Sequence, residues 1–398
     1  MISTSEYPIT SEYPIGARGS FTLPRVAIVS TQRRWHGGEV QAALLAEGLR
    51  RRGYPCLILA RQAGGFAERM EARGFSVVTF GGRGRLPGAQ WKIRRTLQRF
   101  RPDVLHYNDP HAMVAAGVAS WRLGVPVRLA SRRVDFPLKS VQLYRAFCDG
   151  LICVSRAVKT VCQQGGYPEH RMYLVHDGVD PSRMELGERS IGRQSLGLRA
   201  NQPLVLSVAK LTDHKGHRYL LEGMPRVFRE FPHAVLALAG EGGLRPELEQ
   251  QVAQLGLQDK VRFLGYRSDI PDLMAAADLF VVPSHMEGLC SSIIDAMLVG
   301  CPVVGTRAGG IPDLLDPPAV QAKLGWLVPP RDGVALADAM VAAMKSPQLA
   351  RARADAAQQR AMYEFTDRSM VTGTVGIYQR LLQQFQAVGR GDTLLPVR

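Results

Sequence analysis

Two acids and two lysines carry the chemistry that this sequence can support. In the stretch VVPSHMEGLCSSIIDAMLVGCPVVGTRAGGIPDLL, residues 281–315, Glu287 and Asp295 flank the start of a helix set between two strands. The apolar run 279–282 ends at Pro283 and predicts a buried strand, Glu287-Gly288 a loop, and Ser291 or Ser292 the N-cap of a helix reaching about residue 299. Gly300 suits a left-handed cap and Pro302 cannot continue the helix. Val303-Val304 then begin a strand that empties into Ala308-Gly309-Gly310, after which Pro312 can open another helix. A helix start aimed at a loop offers unpaired N–H groups and a partial positive charge, and small residues there let a phosphate approach the backbone. Gly288, Leu289, Cys290 and Ser291 are therefore candidate contacts for an anion. Glu287 and Asp295 stand eight residues apart, about 80° around a helix. They are expected to hold hydroxyls at two separate places rather than to share a proton. The plain alternatives are an exposed loop acid and a solvated helix residue.

The second cluster is LSVAKLTDHKGH, residues 206–217, where a strand starting at Leu204 ends and a helix from about Arg218 begins. Lys210 and Lys215 place two ammonium groups at that strand end. Cations fixed where a departing diphosphate gains charge lower a barrier without a metal, and neither a metal nor a cofactor is expected. Two surface lysines near a turn are the bland alternative.

The rest of the chain must position these groups, and its grammar is that of strands alternating with helices. A strand over 234–240 runs into the Glu241-Gly242-Gly243 loop, a helix covers 246–255, and a strand over 261–264 precedes Gly265-Tyr266-Arg267. The first half repeats the pattern: a strand over 25–30, a Gly37-Gly38 loop and a helix over 40–51. Further strands follow over 55–60, 76–80, 104–107, 127–130 and 150–154. This order predicts parallel sheets, whose ligands lie at the carboxyl ends of the strands. His106, Asn108 and His111 fall at one such end, where a pocket for a second substrate would open. Arg132 falls at the next, suited to an anion such as an acceptor phosphate. A structural histidine and a solvated basic loop are the alternatives. No GxGxxG follows the first strand and no GxxxxGK[ST] occurs, so dinucleotide and P-loop readings find no support. Residues 1–22, with their tandem SEYPI repeat, are expected to be a flexible tail. Residues 23–182 are expected to form one Rossmann-like domain and 183–364 another, with the boundary in the polar, basic stretch 183–202.

In these motifs the chain resembles the retaining nucleotide-sugar glycosyltransferases of family 4, the glycosyl transferases of group 1, over nearly everything after the first two dozen residues. That family's pattern is Glu, seven residues, Glu, then Ala-Met, Gly-x-Pro-Val-Val and Gly-Gly-Ile-Pro-Glu. Here it reads Glu287 to Asp295, Ala296-Met297, Gly300-Cys301-Pro302-Val303-Val304 and Gly309-Gly310-Ile311-Pro312-Asp313. Two glutamates have become aspartates, which keep the charge and lose one methylene of reach. Lys215-Gly216 matches the family's Lys-Gly, whereas Lys210 replaces its Arg and lacks the bidentate fork. Pro102-Asp103-Val104-Leu105-His106 also matches, as does the turn Asp177-Gly178-Val179-Asp180, with Asp177 in place of Asn. Arg132 stands where many relatives carry a His close to the transferred sugar.

The resemblance implies a GT-B fold: α/β, two Rossmann-like parallel-sheet domains facing a central cleft, with a C-terminal helix over 365–390 returning to the first domain. It implies that Glu287 contacts hydroxyls of the transferred sugar and that Asp295 holds the nucleotide's ribose. Lys210 and Lys215 would meet the diphosphate, Gly37 and Gly38 would lie over it, Gly240 would line the donor cleft, and Arg267 would lie near the nucleobase. The implied activity is transfer from a nucleotide sugar to a hydroxyl of a glycan or glycolipid acceptor, in envelope polysaccharide or lipopolysaccharide synthesis, with retention of configuration. Two alternatives are a GT-B-fold nucleotide-sugar epimerase, which needs an acid–base pair at the sugar, and a non-catalytic sugar-nucleotide-binding protein.

At 398 residues and 46% hydrophobic composition the chain is long enough for two cores. A formal charge of +15 asks for an anionic partner. Residues 83–101 concentrate it, with seven Lys or Arg, no acid, and Trp91, Ile93, Leu97 and Phe100 interleaved. A peripheral face on an anionic membrane reads this way, and so does a basic helix whose apolar side packs on a sheet. Nucleic acid is not an expected partner, since no zinc-finger or RNP1-type motif accompanies the charge. No apolar run reaches the length of a membrane span and no signal-peptide pattern opens the chain, so the cytoplasm is the expected compartment. The six Cys lack CxxC spacing and are expected to be reduced thiols.

Overall fold

Strands that are apolar on both sides need cover on both faces, and that condition organises this chain. The structure, a computed structural model, describes residues 23–318, 320 and 322–391, so the SEYPI repeat lies outside it. Strands β1 (Val26–Ser30), β2 (Cys56–Arg61), β3 (Ser76–Phe80), β4 (Val104–Tyr107), β5 (Val127–Arg132), β6 (Gly150–Cys153) and β7 (Met172–Leu174) form one sheet, ordered β3-β2-β1-β4-β5-β6-β7. Strands β8 (Leu204–Val208), β9 (Val235–Ala239), β10 (Val261–Gly265), β11 (Leu279–Val282), β12 (Val303–Thr306) and β13 (Trp326–Val328) form a second, ordered β10-β9-β8-β11-β12-β13. Every pairing is parallel; Val26, for example, lies between Cys56 and Val104. Central strands β1, β4, β9 and β11 are buried along their whole length between helices. The strand order reverses between β1 and β4 and between β8 and β11. Connections leave these strands toward opposite faces of the sheet and open a crevice at the carboxyl ends.

The carboxyl ends of the two sheets face each other. The chain passes between domains twice, side by side: the Val179 N–H donates to the Phe365 carbonyl and the Asp367 N–H to the Val179 carbonyl, both at 2.9 Å. Gly178 is small for this reason, since a Cβ there would sit 2.4 Å from the Thr366 oxygen. From Gln41, on the helix Gly37–Arg51, the side-chain amide donates to the Gly178 carbonyl at 2.8 Å and accepts its N–H at 3.0 Å. The last helix, Asp367–Gly391, then packs on helix Gly37–Arg51 and on β5.

Three expected local features differ. Gly37-Gly38 is not a loop: the two glycines are the first residues of helix Gly37–Arg51, with His36 as N-cap. The N-cap of helix Ser291–Leu298 is Cys290, with φ of 82°, and neither serine. The boundary stretch 183–202 holds the helix Arg189–Ser195, which packs against helix Ile270–Ala276 of the second domain. Polarity misleads there because Arg193, though charged, is buried and donates to main-chain carbonyls of Ala276 and Arg199.

Candidate functional site

Two helix starts meet at the crevice, one from each domain. β1 leads through His36 into Gly37–Arg51, and β11 leads through Glu287 and Cys290 into Ser291–Leu298. Gly37, Gly38, Ser291 and Ser292 all line an open cleft of about 260 Å³, with Lys215, Glu287, Gly288, Leu289, Cys290 and Arg133. A Cβ on Gly37 would meet nothing within 4 Å, and on Gly38 only the Asn108 amide at 3.9 Å. No internal packing demands these glycines; they leave the free N–H groups of a helix start open to the cleft.

Glu287 and Lys215 are the charged pair at its centre. The Lys215 Nζ lies 2.5 Å from the Glu287 Oε1, which also accepts from the Ser284 hydroxyl at 2.9 Å. Burial works against the lysine charge, but the Glu287 carboxylate outweighs it and raises the Lys215 pKa above its ordinary value. Backbone contacts seat both side chains. Gly216 has φ of 69° and would place a Cβ 2.0 Å from the Pro283 oxygen; Gly309, at φ of 50°, would place one 1.6 Å from the Glu287 oxygen. The Lys-Gly and Gly-Gly-Ile-Pro motifs thus hold the acid loop between them. A Cβ on Gly288 would strike the Arg133 oxygen at 2.0 Å, so this loop touches the first domain too. Its Glu287 N–H donates to Asp135 at 3.1 Å.

Lys210 reaches across the cleft mouth, with its Nζ 3.1 Å from the His36 Nδ1. Burial, then the Lys210 and Arg34 charges, lower the His36 pKa. Gly240, at φ of 144°, would place a Cβ 2.0 Å from the Ala209 oxygen, so it lets the β8 and β9 loops touch beside Lys210. Asp295 is buried below the helix start. One oxygen meets Arg183 at 2.7 Å, and the other has no partner among the described residues. Burial pushes its pKa up to about 6, against the pull of Arg183. Burial also pushes the Cys290 thiol up to about 12, which makes it a space-filling group rather than a nucleophile. Among the described residues no group of three or more His, Cys, Asp or Glu side chains is arranged to hold a metal ion.

Several sequence candidates stand elsewhere. His106 is not in the acceptor pocket: its Nδ1 pairs with the Tyr378 hydroxyl at 2.6 Å and its Nε2 with Ser131 at 2.8 Å, under the returning helix. Burial drives its pKa down to about 3, so it stays neutral. Arg132 is buried inside the first domain, donating to the Phe136 carbonyl at 2.6 Å, and does not face the cleft. Its neighbour Arg133 does, and donates to Asp177 at 2.9 Å and Asn108 at 2.7 Å. β5 runs two residues past its expected end, and the alternation of a strand turns position 132 inward. Arg267 is tied to Asp269 at 2.7 Å at the end of β10, two strands from the β8/β11 crevice. His111 stands on the cleft side of the first sheet, beside Arg85. Arg133, Arg183 and Gln41 are site residues that no sequence motif marks. Asp177, which stands in place of the family's Asn, is one half of an ion pair with Arg133.

Comparison with known proteins agrees with this geometry. Residues 35–183 match the profile of Glycosyltransferase Family 4 and residues 188–360 that of Glycosyl transferases group 1. A lipopolysaccharide core biosynthesis glycosyltransferase of Rhizobium meliloti is 34% identical over 219 residues, 55% of this chain and 60% of that protein. An uncharacterized glycosyltransferase of Methanocaldococcus jannaschii is 33% identical over 172 residues, 42% of this chain and 44% of that protein. The matched regions span less than two thirds of most such relatives' lengths, from 42% to 61%, and 78% of one. The crystal structure of Anabaena HepE in complex with UDP and glucose superposes with a TM-score of 0.76 at 26% identity, covering 92% of this chain and all of that one. With both sheets, the double crossing and both profiles in place, the chain belongs to the group 1, family 4 glycosyltransferases of GT-B fold.

Proposed function

We propose that this protein transfers a sugar from a nucleotide-sugar donor to a hydroxyl of a glycan or glycolipid, with retention, in envelope polysaccharide or lipopolysaccharide synthesis. The observation that carries the reading is the pair of helix starts, Gly37-Gly38 and Ser291-Ser292, converging on Lys215 and Glu287. Partial positive charge from both helices and the Lys215 and Lys210 ammonium groups suit a diphosphate. HepE, solved with UDP-glucose at 25% identity, supports a uridine nucleotide as the first donor to try.

In this mechanism the anomeric C–O bond breaks and its electron pair goes to the diphosphate oxygen, whose new charge Lys215, Lys210 and the helix N–H groups stabilise. The acceptor hydroxyl adds to the anomeric carbon from the same face and gives its proton to the departing oxygen. Glu287 accepts a sugar hydroxyl once Lys215 turns to the diphosphate. Asp295, whose unpaired oxygen is buried in the ligand-free fold, accepts from the ribose once the donor opens a path to it. Fixed cations supply the charge compensation, so a chelator is expected to leave turnover unchanged.

Lys215→Ala is expected to lower kcat by about 100-fold or more, the scale of losing one donor to a developing anion. Unchanged turnover would remove the lysine from the mechanism. Donors are identified by thermal stabilisation with UDP-, GDP- and ADP-sugars, and the anomeric configuration of the product is read by proton NMR; an inverted product would overturn retention. A product formed from donor alone would favour an epimerase.

We place the work at the inner face of the cytoplasmic membrane. No helix among the described residues is long and apolar enough to cross a membrane. The helix Pro87–Phe100 buries Ala89, Ile93 and Leu97 and leaves Trp91 and Leu86 exposed among its basic residues. Flotation with anionic vesicles, lost on Trp91→Ala, is the supporting outcome.

A further inference from the structure

The cleft-facing end of the first sheet carries a second cationic cluster, apart from Lys210 and Lys215. The loop after β3 brings Arg83 and Arg85 over the first turn of the helix Pro110–Ala119, where an Arg85 nitrogen lies 3.0 Å from the His111 Nδ1. This loop is built rather than incidental. Gly84, at φ of 72°, is buried so closely that a Cβ would lie 2.8 Å from Ala115, and the Gln90 amide donates to the Ala115 carbonyl at 3.0 Å. Lys139, from the loop after β5, is near enough for its charge to act on His111. Burial lowers the His111 pKa, Asp109 opposes that, and the charges of Arg83, Arg85 and Lys139 add to the lowering. Arg83, Arg85 and Lys139 are exposed and free of salt bridges among the described residues.

The acid beneath them offsets part of their charge but forms no ion pair with them, because its lone pairs are already taken. Asp109 accepts from the Thr31 N–H and hydroxyl and from the N–H groups of His111 and Ala112, all at 3.0 Å or less. Asp135, the other acid in the loop after β5, takes the Glu287 N–H. That loop joins the two sites: Arg133 lines the donor cleft, and Lys139 stands six residues on. Apolar side chains flank the cations, with Leu86 65% and Phe136 47% exposed.

We propose that Arg83, Arg85, His111 and Lys139 seat a phosphate or diphosphate of the acceptor, which is therefore a sugar joined through phosphate to an apolar tail. The inference rests on the sugar-transfer reading and names its acceptor class. Guanidinium forks and an ammonium match phosphate oxygens, and the flanking apolar residues match the tail.

Binding of decyl glucosyl diphosphate and of decyl glucoside to the full chain tests it by calorimetry. Wild type is expected to prefer the diphosphate probe by about tenfold or more. The triple variant R83Q/R85Q/K139Q is expected to lose that preference and K215A to keep it. Equal binding of the two probes by wild type overturns the proposal, as does a preference that survives in the triple variant. Loss of the preference in K215A overturns it too, because the probe then sits in the donor's seat. Inorganic phosphate or glycerol phosphate binding as tightly as the diphosphate probe would make the cluster a general anion or headgroup seat, which also overturns it. Stabilisation of the same proteins by UDP-, GDP- and ADP-sugars reports on the donor reading separately.

Discussion

Asp295 holds a charge that the folded, ligand-free protein does not welcome. Burial raises its pKa to about 6, above the ordinary aspartate value near 3.9. The folded state therefore binds its proton more tightly than the unfolded chain does. Stability from the protonated form is complete below about pH 4 and is lost as pH rises through 6, up to about 3 kcal/mol in all. Asp295→Asn should thus gain stability relative to wild type between pH 4 and pH 8, measured by denaturant unfolding, while weakening donor binding. A constant difference across that range would mean that Asp295 is solvated. The same residue marks how far the sequence could be read. Its place beyond Glu287 on the same helix start was legible from spacing, but its partner Arg183, 112 residues away, was not. His106 failed for the same reason. A polar residue at a strand end looks like a site residue until Tyr378, 272 residues on, is seen to occupy it.

Eleven strands were legible because their apolar runs are short and bounded, and their observed ends lie within about two residues of the expected ones; the three-residue edge strands β7 and β13 were too short to be read. Helix starts were less legible. Gly-Gly reads as a loop because glycine weakens helices, yet at the first helical positions it costs little and keeps side chains out of the cleft. Gly37→Ala gives this a test. With nothing within 4 Å of the new methyl group, the helix should hold or gain up to about 1 kcal/mol. The donor KM should rise by about tenfold, a loss of about 1.4 kcal/mol. A rise in stability without a change in KM would show that the glycines serve only the helix. Gly309→Ala should behave in the opposite way, losing stability and activity together, because its methyl group would overlap the Glu287 carbonyl.

Both domains can be inferred from strand–helix alternation, but how they meet depends on contacts between distant residues. Gln41 is one such contact, with both ends of its amide on Gly178. Gln41→Ala should cost about 1–3 kcal/mol through the exposed backbone partners and lower turnover. Urea unfolding and steady-state kinetics check both, and an unchanged kcat would separate the crossing from catalysis. A single thread between two bodies lets them swivel as well as open. Here two threads run abreast at Val179 and Thr366, joined by main-chain hydrogen bonds. Such a strap bends readily in one direction and resists torsion. The lobes can then gape and still shut along the same line, returning the two helix starts at Gly37 and Ser291 to the same spacing at each stroke.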